Sequence, residues 1–351
     1  MPHDLQVALL GFGLGGACFH APLIATTAGM RLATVVTADP SRRAQVMREF
    51  PGAHVSPQAA WVFEHAAQHD LVVISTPNRT HVPLALGAIE AGIPVIVDKP
   101  FAPTSSDAQR VIDAARMRGV WICPYHNRRW DNDFLTLRRL LEAGELGRVL
   151  RFESRLERWR PAVQGGWREL SGLDEAGGLL YDLGSHLIDQ ALQLFGPVSE
   201  VYAELDSQRA GIETDDDVFL ALTHRNAVRS HLWTSALAAQ AGPRLRVLGD
   251  RGSYMKQHVD PQEAALRAGK RPGQSDWGGE SPHEWGTLSD GATQKAIRSE
   301  PGAYPQFYAD VVASIRDGTA PPVAAADAVA GLKIIEAARD SAAQRRVMRL
   351  G

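Results

Sequence analysis

The pattern of apolar and polar positions changes character after roughly the first third of the chain. Residues 5–10 (LQVALL) form a short apolar run without alternation, the pattern of a strand buried on both faces of a parallel sheet. Similar runs recur at 31–36, 71–75, 93–97 and 119–123, and the segments 41–50 and 80–92 between them predict helices. That rhythm predicts a doubly wound parallel sheet. After Cys123 it stops. Residues 131–146 predict a helix with Phe134, Leu137, Leu140 and Leu141 on one face and Asp131 or Asn132 as its cap. Residues 149–158 alternate, Leu150, Phe152 and Leu156 against Arg151, Glu153, Arg155 and Glu157, as in a strand with one face on a core. Further strands are expected at 200–207, 217–225, 228–236 and 244–250. Helices are expected at 177–190, 304–318 and 325–346, and the Gly- and Pro-rich stretch 269–291 reads as a long loop. The expected architecture is an α/β N-terminal domain with a doubly wound parallel sheet (residues 1–124), then a C-terminal α+β domain with a largely antiparallel open sheet (residues 125–351).

Composition narrows the partners. A chain of 351 residues suits two domains. Lys plus Arg number 37 and Asp plus Glu 40, a net charge of −3, so no electrostatic feature invites nucleic acid or a membrane surface. Cys18 and Cys123 share no C-x-x-C spacing, which argues against a disulfide framework or a zinc site. The first strand begins by Leu5 and no apolar run reaches the ~18 residues of a membrane helix. A cytoplasmic protein is expected.

The first apolar run leads directly into Gly11-Phe12-Gly13-Leu14-Gly15-Gly16. Gly11, Gly13 and Gly16 fit G-x-G-x-x-G, and a strand before it and a helix after it are the context that makes this a dinucleotide-binding turn. The pyrophosphate is expected at the N-terminus of that helix. At the end of the second strand Thr37 and Ala38 stand at the recognition positions, and Asp39 comes one or two residues later than a ribose-binding acid should. Arg42 and Arg43 follow and suit a 2′-phosphate, unless they only solvate a helix start. NADP is the expected cofactor, with Asp39 as the argument for NAD. Ser75, Thr76, Pro77, Asn78 and His81, after the 71–75 run, are expected to line the cofactor site at the carboxyl edge of the sheet; Thr80 would serve equally as a helix cap.

Asp98, Lys99 and Pro100 follow the 93–97 run at the same edge. A partly desolvated lysine there can polarise a carbonyl or move a proton, and Pro100 suits a cis peptide in a fixed turn. In 177–190 (GGLLYDLGSHLIDQ), Asp182 and His186 stand four apart in an apolar helix. Alone they read as a buried structural pair; a metal site would need a third ligand, and none is visible in the pattern.

The segments 11–22, 75–81, 97–101, 125–134 (YHNRRWDNDF) and 181–190 together resemble the Gfo/Idh/MocA (glucose–fructose oxidoreductase / inositol dehydrogenase) family. Its usual E-K-P stands here as Asp98-Lys99-Pro100. The resemblance implies a nicotinamide-dependent oxidoreductase, with the catalytic lysine at Lys99 and the D-x-x-x-H motif at Asp182 and His186. Segments 125–137, 166–170, 260–272 and 276–278 resemble the branch of NADP-dependent scyllo-inositol dehydrogenases, which implies a cyclic polyol or sugar substrate. On that reading the general acid/base is His186, with Lys99 as the alternative; Asp182 orients the imidazole and binds substrate, Lys99 holds the substrate oxygen, and Lys99 and Asp98 also border the cofactor. Tyr125, Asn127, Arg128 and Tyr181 are candidate pocket residues. Arg128 and Arg129 serve equally as structural ion-pair formers, Trp167 and Arg168 as covers, and His20 as packing; Asp189 has no assigned role. A homodimer or homotetramer through the C-terminal sheet is expected. Reduction of another carbonyl or an imine (a keto-sugar, a tetrapyrrole) and a non-catalytic NADP-sensing role remain alternatives.

Overall fold

The computed structural model describes residues 3–170, 175–273 and 276–351. The side chains of Trp167 and Arg168, expected as covers, lie outside the described part, as do Gln274 and Ser275. The chain forms two compact units: Met1–Asn127 with Gln262–Trp277 and Ala303–Val329, and Arg128–Pro261 with Gly278–Gly302 and Ala330–Gly351. A single boundary at residues 124/125 thus corresponds only to the first of several passages between them.

Unit 1 opens with β1 (Leu5–Leu10), α1 (Ala21–Thr26), β2 (Met30–Val36), α2 (Pro40–Glu49), β3 (His54–Ser56) and α3 (Ala60–Glu64). It continues with β4 (Leu71–Ile74), α4 (His81–Glu90), β5 (Val95–Asp98), α5 (Ser105–Arg118) and β6 (Ile122–Tyr125). The strands pair in parallel in the order β3-β2-β1-β4-β5-β6. The order reverses between β1 and β4, where open α/β sheets bind ligands beyond the strand carboxyl ends. Val7–Leu10, Leu71–Ile74 and Val95–Val97 are fully buried, which is why these runs show no alternation. β6 starts later than the 119–123 run suggests, because Gly119, at φ +65°, closes α5 as a left-handed cap.

Unit 2 contains α6 (Asn132–Glu142), β7 (Val149–Glu157), α7 (Trp167–Leu170), α8 (Ser185–Phe195), β8 (Val198–Asp206), β9 (Asp217–His224) and β10 (Arg229–Ser235). β11 (Leu245–Gly249), β12 (Ser253–Lys256), β13 (Gly286–Ser289), β14 (Gln294–Ile297) and β15 (Met348–Arg349) complete its sheet. The order of the nine strands is β14-β13-β12-β11-β7-β10-β9-β8-β15, antiparallel except for β7 against β10. Phe152, Leu156, Val218, Leu220, Leu222, Leu232 and Val247 are buried on one face of this sheet. Leu150, expected on that face, is 42% exposed. β10 first pairs with β7 at Arg151, and the β11 pairing shifts register across Leu150, so nothing continues the core there. The cap expected at the start of α6 also differs. The Asp131 side chain pairs with Arg128, and the backbone N–H of Asn132 donates to Asp260 instead.

Two later helices return to unit 1, α9 (Gln262–Arg267) and α10 (Tyr304–Asp317); buried Gln262 accepts from both the Tyr304 N–H and the Trp277 indole. The last helix is α11 (Ala325–Gln344). The 269–291 stretch is only partly a loop, since it carries β13 and Glu280, whose carboxylate pairs with buried Lys256 at 2.7 Å. Among the described residues no helix is long and apolar enough to cross a membrane.

Candidate functional site

The turn after β1 is shaped by contacts its glycines permit. Gly11 has φ +97°, and a Cβ there would strike the Ser75 carbonyl; one at Gly16 would strike the Gly11 carbonyl. A Cβ on Gly15 would overlap the Ser75 hydroxyl and meet Asp98 Oδ2 at 3.0 Å. Gly13 is different. Among the described residues its only neighbour within 4 Å would be Arg42 Nη1, at 3.9 Å. Protein packing therefore explains Gly11, Gly15 and Gly16, whereas Gly13 opens a cradle beside a guanidinium, which fits an anionic group approaching the backbone. Phe12 is buried against the edge of Phe50, and Leu14 is exposed. Residues Gly15–His20 then wind as a π-helical turn before α1.

At the end of β2, Thr37 is buried and its N–H donates to the Ser56 carbonyl of β3. Asp39 caps α2. Its Oδ1 accepts from Ser41 N–H (2.8 Å), Ser41 Oγ (2.6 Å) and Arg42 N–H (3.0 Å). These donors, chiefly the Ser41 hydroxyl, hold the Asp39 carboxyl below its usual range. The acid that argued for NAD is thus engaged with the helix start, and Arg42 and Arg43 are exposed.

The loops after β4 and β5 are tied together. His81 Nδ1 lies 2.8 Å from the Pro100 carbonyl and Nε2 lies 2.9 Å from the Thr76 carbonyl. Carbonyls only accept, so both bonds form together only when the ring carries both protons. The Lys99–Pro100 peptide is cis. Asn78 is buried, Pro77 leads into the short turn Asn78–Thr80, and the Thr80 hydroxyl donates to Thr76 rather than capping α4. Asp98 Oδ2 accepts from Ser75 Oγ (3.0 Å) and faces His20 Nε2 (3.3 Å), while Oδ1 accepts the Lys99 N–H (2.8 Å). Lys99 itself is half-buried. Tyr125 is buried, and its hydroxyl donates to the Phe19 carbonyl, so it braces the π turn from β6.

In unit 2, Asp182 lies in a second π-helical turn, Leu180–Gly184, that leads into α8; His186 is on the first turn of α8. His186 and Tyr181 are buried and Asp182 is half-buried. Burial raises the Tyr181 phenol above its usual range; Arg339 opposes this and Glu336 and Asp215 add to it. Asp215 anchors the segment. Its Oδ2 accepts the Leu180 N–H at 2.6 Å, its carbonyl accepts the Leu179 N–H, and its carboxylate fills the space where Gly178 lacks a Cβ. Burial raises the Asp215 carboxyl, against the Leu180 hydrogen bond and the Arg339 charge.

Arg128 pairs with Asp131 at 3.1 Å, and Arg129 grips Asp189 with two bonds of 2.9 and 2.6 Å. Both arginines thus make structural ion pairs, and Asp189 gains a role as the anchor of α8. Asn127, the last residue of that stretch of unit 1, is buried. Sequence reasoning did not find Asp215, although the acidic run 215–217 ahead of an apolar strand marked it. From the sequence His20 likewise reads only as packing. Unit 1 therefore gathers the glycine turn, Arg42, Ser75, Thr76, Asp98 and Lys99 at one sheet edge, while Asp182 and His186 belong to unit 2. Among the described residues no group of three or more His, Cys, Asp or Glu has the arrangement of a metal site.

Comparison with known proteins covers nearly the whole chain. A family model described as "Oxidoreductase family, NAD-binding Rossmann fold" matches residues 5–126, and one described as "Oxidoreductase family, C-terminal alpha/beta domain" matches residues 138–350. The chain is 37% identical over 350 residues to scyllo-inositol 2-dehydrogenase (NADP(+)) IolW of Bacillus subtilis, covering 99% of this chain and 96% of that protein. It is 39% identical to the oxidoreductase YdgJ of Escherichia coli, with 99% of each covered. Among solved structures, the oxidoreductase YvaA of Bacillus subtilis superposes with a TM-score of 0.93 at 36% identity, with 99% of each chain covered.

Proposed function

The chain belongs to the Gfo/Idh/MocA oxidoreductase family, and on that premise we propose that it is an NADP-dependent dehydrogenase of a cyclic polyol or sugar, with scyllo-inositol and its inosose as the leading pair. The full-length likeness to an NADP-dependent scyllo-inositol dehydrogenase carries the substrate class. Arg42 beside the open Gly13 cradle, with Asp39 engaged as a cap, supports NADP over NAD.

The bound nicotinamide supplies the hydride acceptor or donor. The chain's own residues handle the oxygen and its proton. Lys99 holds the substrate oxygen and stabilises negative charge as it develops. His186 takes the hydroxyl proton during oxidation and returns it during reduction. Asp182 orients that imidazole and binds a neighbouring hydroxyl. Tyr181, Asn127 and Arg128 border the substrate, Arg128 from its ion pair with Asp131. The same reading has the enzyme working in the cytoplasm as a homodimer or homotetramer.

A panel of inositols and aldoses, assayed with NADP and NAD in parallel by absorbance of the reduced nicotinamide, tests the reading. The expected result is turnover of an inositol with preference for NADP. Lys99→Ala and His186→Ala are each expected to lower kcat by roughly 10²–10⁴-fold, the usual worth of acid–base catalysis. Unchanged turnover in both variants sinks the residue roles, and activity confined to a keto-sugar or an imine sinks the substrate class.

A further inference from the structure

His20 has no part in the chemistry above, yet it is fully buried in unit 1 with both ring nitrogens engaged. Nδ1 lies 2.6 Å from Tyr308 Oη on α10, and Nε2 lies 3.3 Å from Asp98 Oδ2 at the end of β5. The ring also rests against Tyr125 of β6, with centroids 4.2 Å apart. A side chain that only filled space would need neither polar partner.

Proton positions follow from the partners. Burial pushes the Tyr308 phenol well above its usual range, and Tyr125, Asp98 and Cys123 add to this. The Asp98 carboxylate only accepts, so Nε2 carries the proton it donates there, and Nδ1 is hydrogen-bonded to the Tyr308 hydroxyl. Every element around Asp98 contributes: His20 from the π turn, Tyr308 behind it on α10, Ser75 from β4, His81 from α4, Tyr125 from β6, and the Lys99 N–H. Burial alone would raise the Asp98 carboxyl. The hydrogen bond and field of His20, with the charges of His81 and Lys99, outweigh burial and hold it below the carboxylate range.

We propose that Tyr308 and His20 form a hydrogen-bond relay that keeps the Asp98 carboxylate ionised and fixed at the base of Lys99, which makes His20 a positioning residue for the lysine. The chemistry the relay serves rests on the function proposed above; the relay itself does not. The fixed carboxylate accepts the Lys99 N–H at 2.8 Å and so holds the root of that side chain in place. The same carboxylate closes against Gly15, so the relay also joins the root of the lysine to the glycine turn.

The chain contains five lysines, Lys99, Lys256, Lys270, Lys295 and Lys333, so the Lys99 signal is separable. In full-length protein labelled with [ε-13C]lysine, Lys99→Arg assigns that signal, and its position is followed against pH in wild type, His20→Ala, His20→Gln and Tyr308→Phe. In His20→Ala the burial of Asp98 loses its largest counterweight, so the carboxyl binds a proton more readily than in wild type. It then protonates as pH falls through the acid range, and the Lys99 signal acquires an acid-side inflection. Wild type is expected to show none there. His20→Gln, whose amide replaces the Nε2 donor, is expected to behave as wild type. Tyr308→Phe should introduce the inflection at lower pH, and it carries the test alone if His20→Ala does not fold. Superimposable titrations of wild type and the folded variants overturn the relay, as does an inflection already present in wild type. No substrate or cofactor enters the titration. An enzyme inactive on polyols would therefore sink the proposed function and leave the relay standing, while flat titrations would sink the relay whatever the substrate.

Discussion

At the residue scale, the proposed preference for NADP rests on two neighbours with opposite charges. Asp39 would favour a ribose with free hydroxyls, but its Oδ1 accepts three hydrogen bonds from Ser41 and Arg42. Arg42, in the first turn of α2, places Nη1 beside the cradle that Gly13 opens. Arg42→Ala is expected to raise KM for NADP roughly ten- to hundred-fold, the worth of one or two charge-assisted hydrogen bonds, and to leave KM for NAD nearly unchanged. Equal loss with both cofactors, measured by initial rates, would show that Arg42 serves the helix and not the phosphate. The order of residues made Arg42 and Asp39 legible as competitors. It did not show which was engaged, because a cap is recognised only once the helix start is located. Asp189 was illegible for a related reason: its partner Arg129 is 60 positions away, and no local pattern encodes that pairing.

At the element scale, α8 is the helix whose placement matters, and it is held by polar contacts as well as by its apolar face. Gln190 donates to the Arg128 carbonyl and accepts from Arg244. Arg244 pairs with Asp133 of α6 at 2.8 Å and also donates to Ser154 of β7, all buried within unit 2. A buried pair adds little net stability over an apolar replacement, but breaking one side leaves a charge stranded. Arg244→Ala is therefore expected to destabilise the protein by roughly 3–5 kcal/mol in denaturant unfolding, and Arg244→Met combined with Asp133→Leu to recover most of it. If the double variant is as unstable as the single one, the network does more than neutralise Asp133. The elements themselves were largely readable, because fully buried runs and strict alternation follow from burial on two faces or one. β3 and β12 to β15 were not: each has four residues or fewer, too few to show a period, and none is the wholly apolar run that marked the equally short β4. The π turns were hidden as well, because one extra residue in a turn leaves no mark on an apolar segment.

At the scale of the whole molecule, the nine-stranded sheet poses the remaining question, because a broad antiparallel sheet needs a cover for its second face or a reason to leave it in water. One face carries the buried aliphatic side chains. The alternate positions on the central strands hold Phe219, His231 and Trp233, with Arg155 stacked 3.9 Å from the Trp233 ring. Beside them Glu153, only 7% exposed, pairs with Arg151, Arg155 and Arg246. Aromatic rings with arginine, framed by paired charges, have the composition of an interface core. A second copy of the chain is the occupant that the expected homodimer or homotetramer supplies, and a two-fold axis would bring the same patch to itself. Trp233→Glu places an unpaired charge at the centre of that patch and removes the ring under Arg155. The expected outcome in sedimentation velocity at micromolar concentration is a wild-type dimer or tetramer and a variant shifted towards monomer, with turnover then reporting whether one subunit suffices. A wild type that sediments as a monomer, or a variant that keeps the wild-type assembly, would mean that this face meets solvent and that its aromatic cluster serves only the sheet.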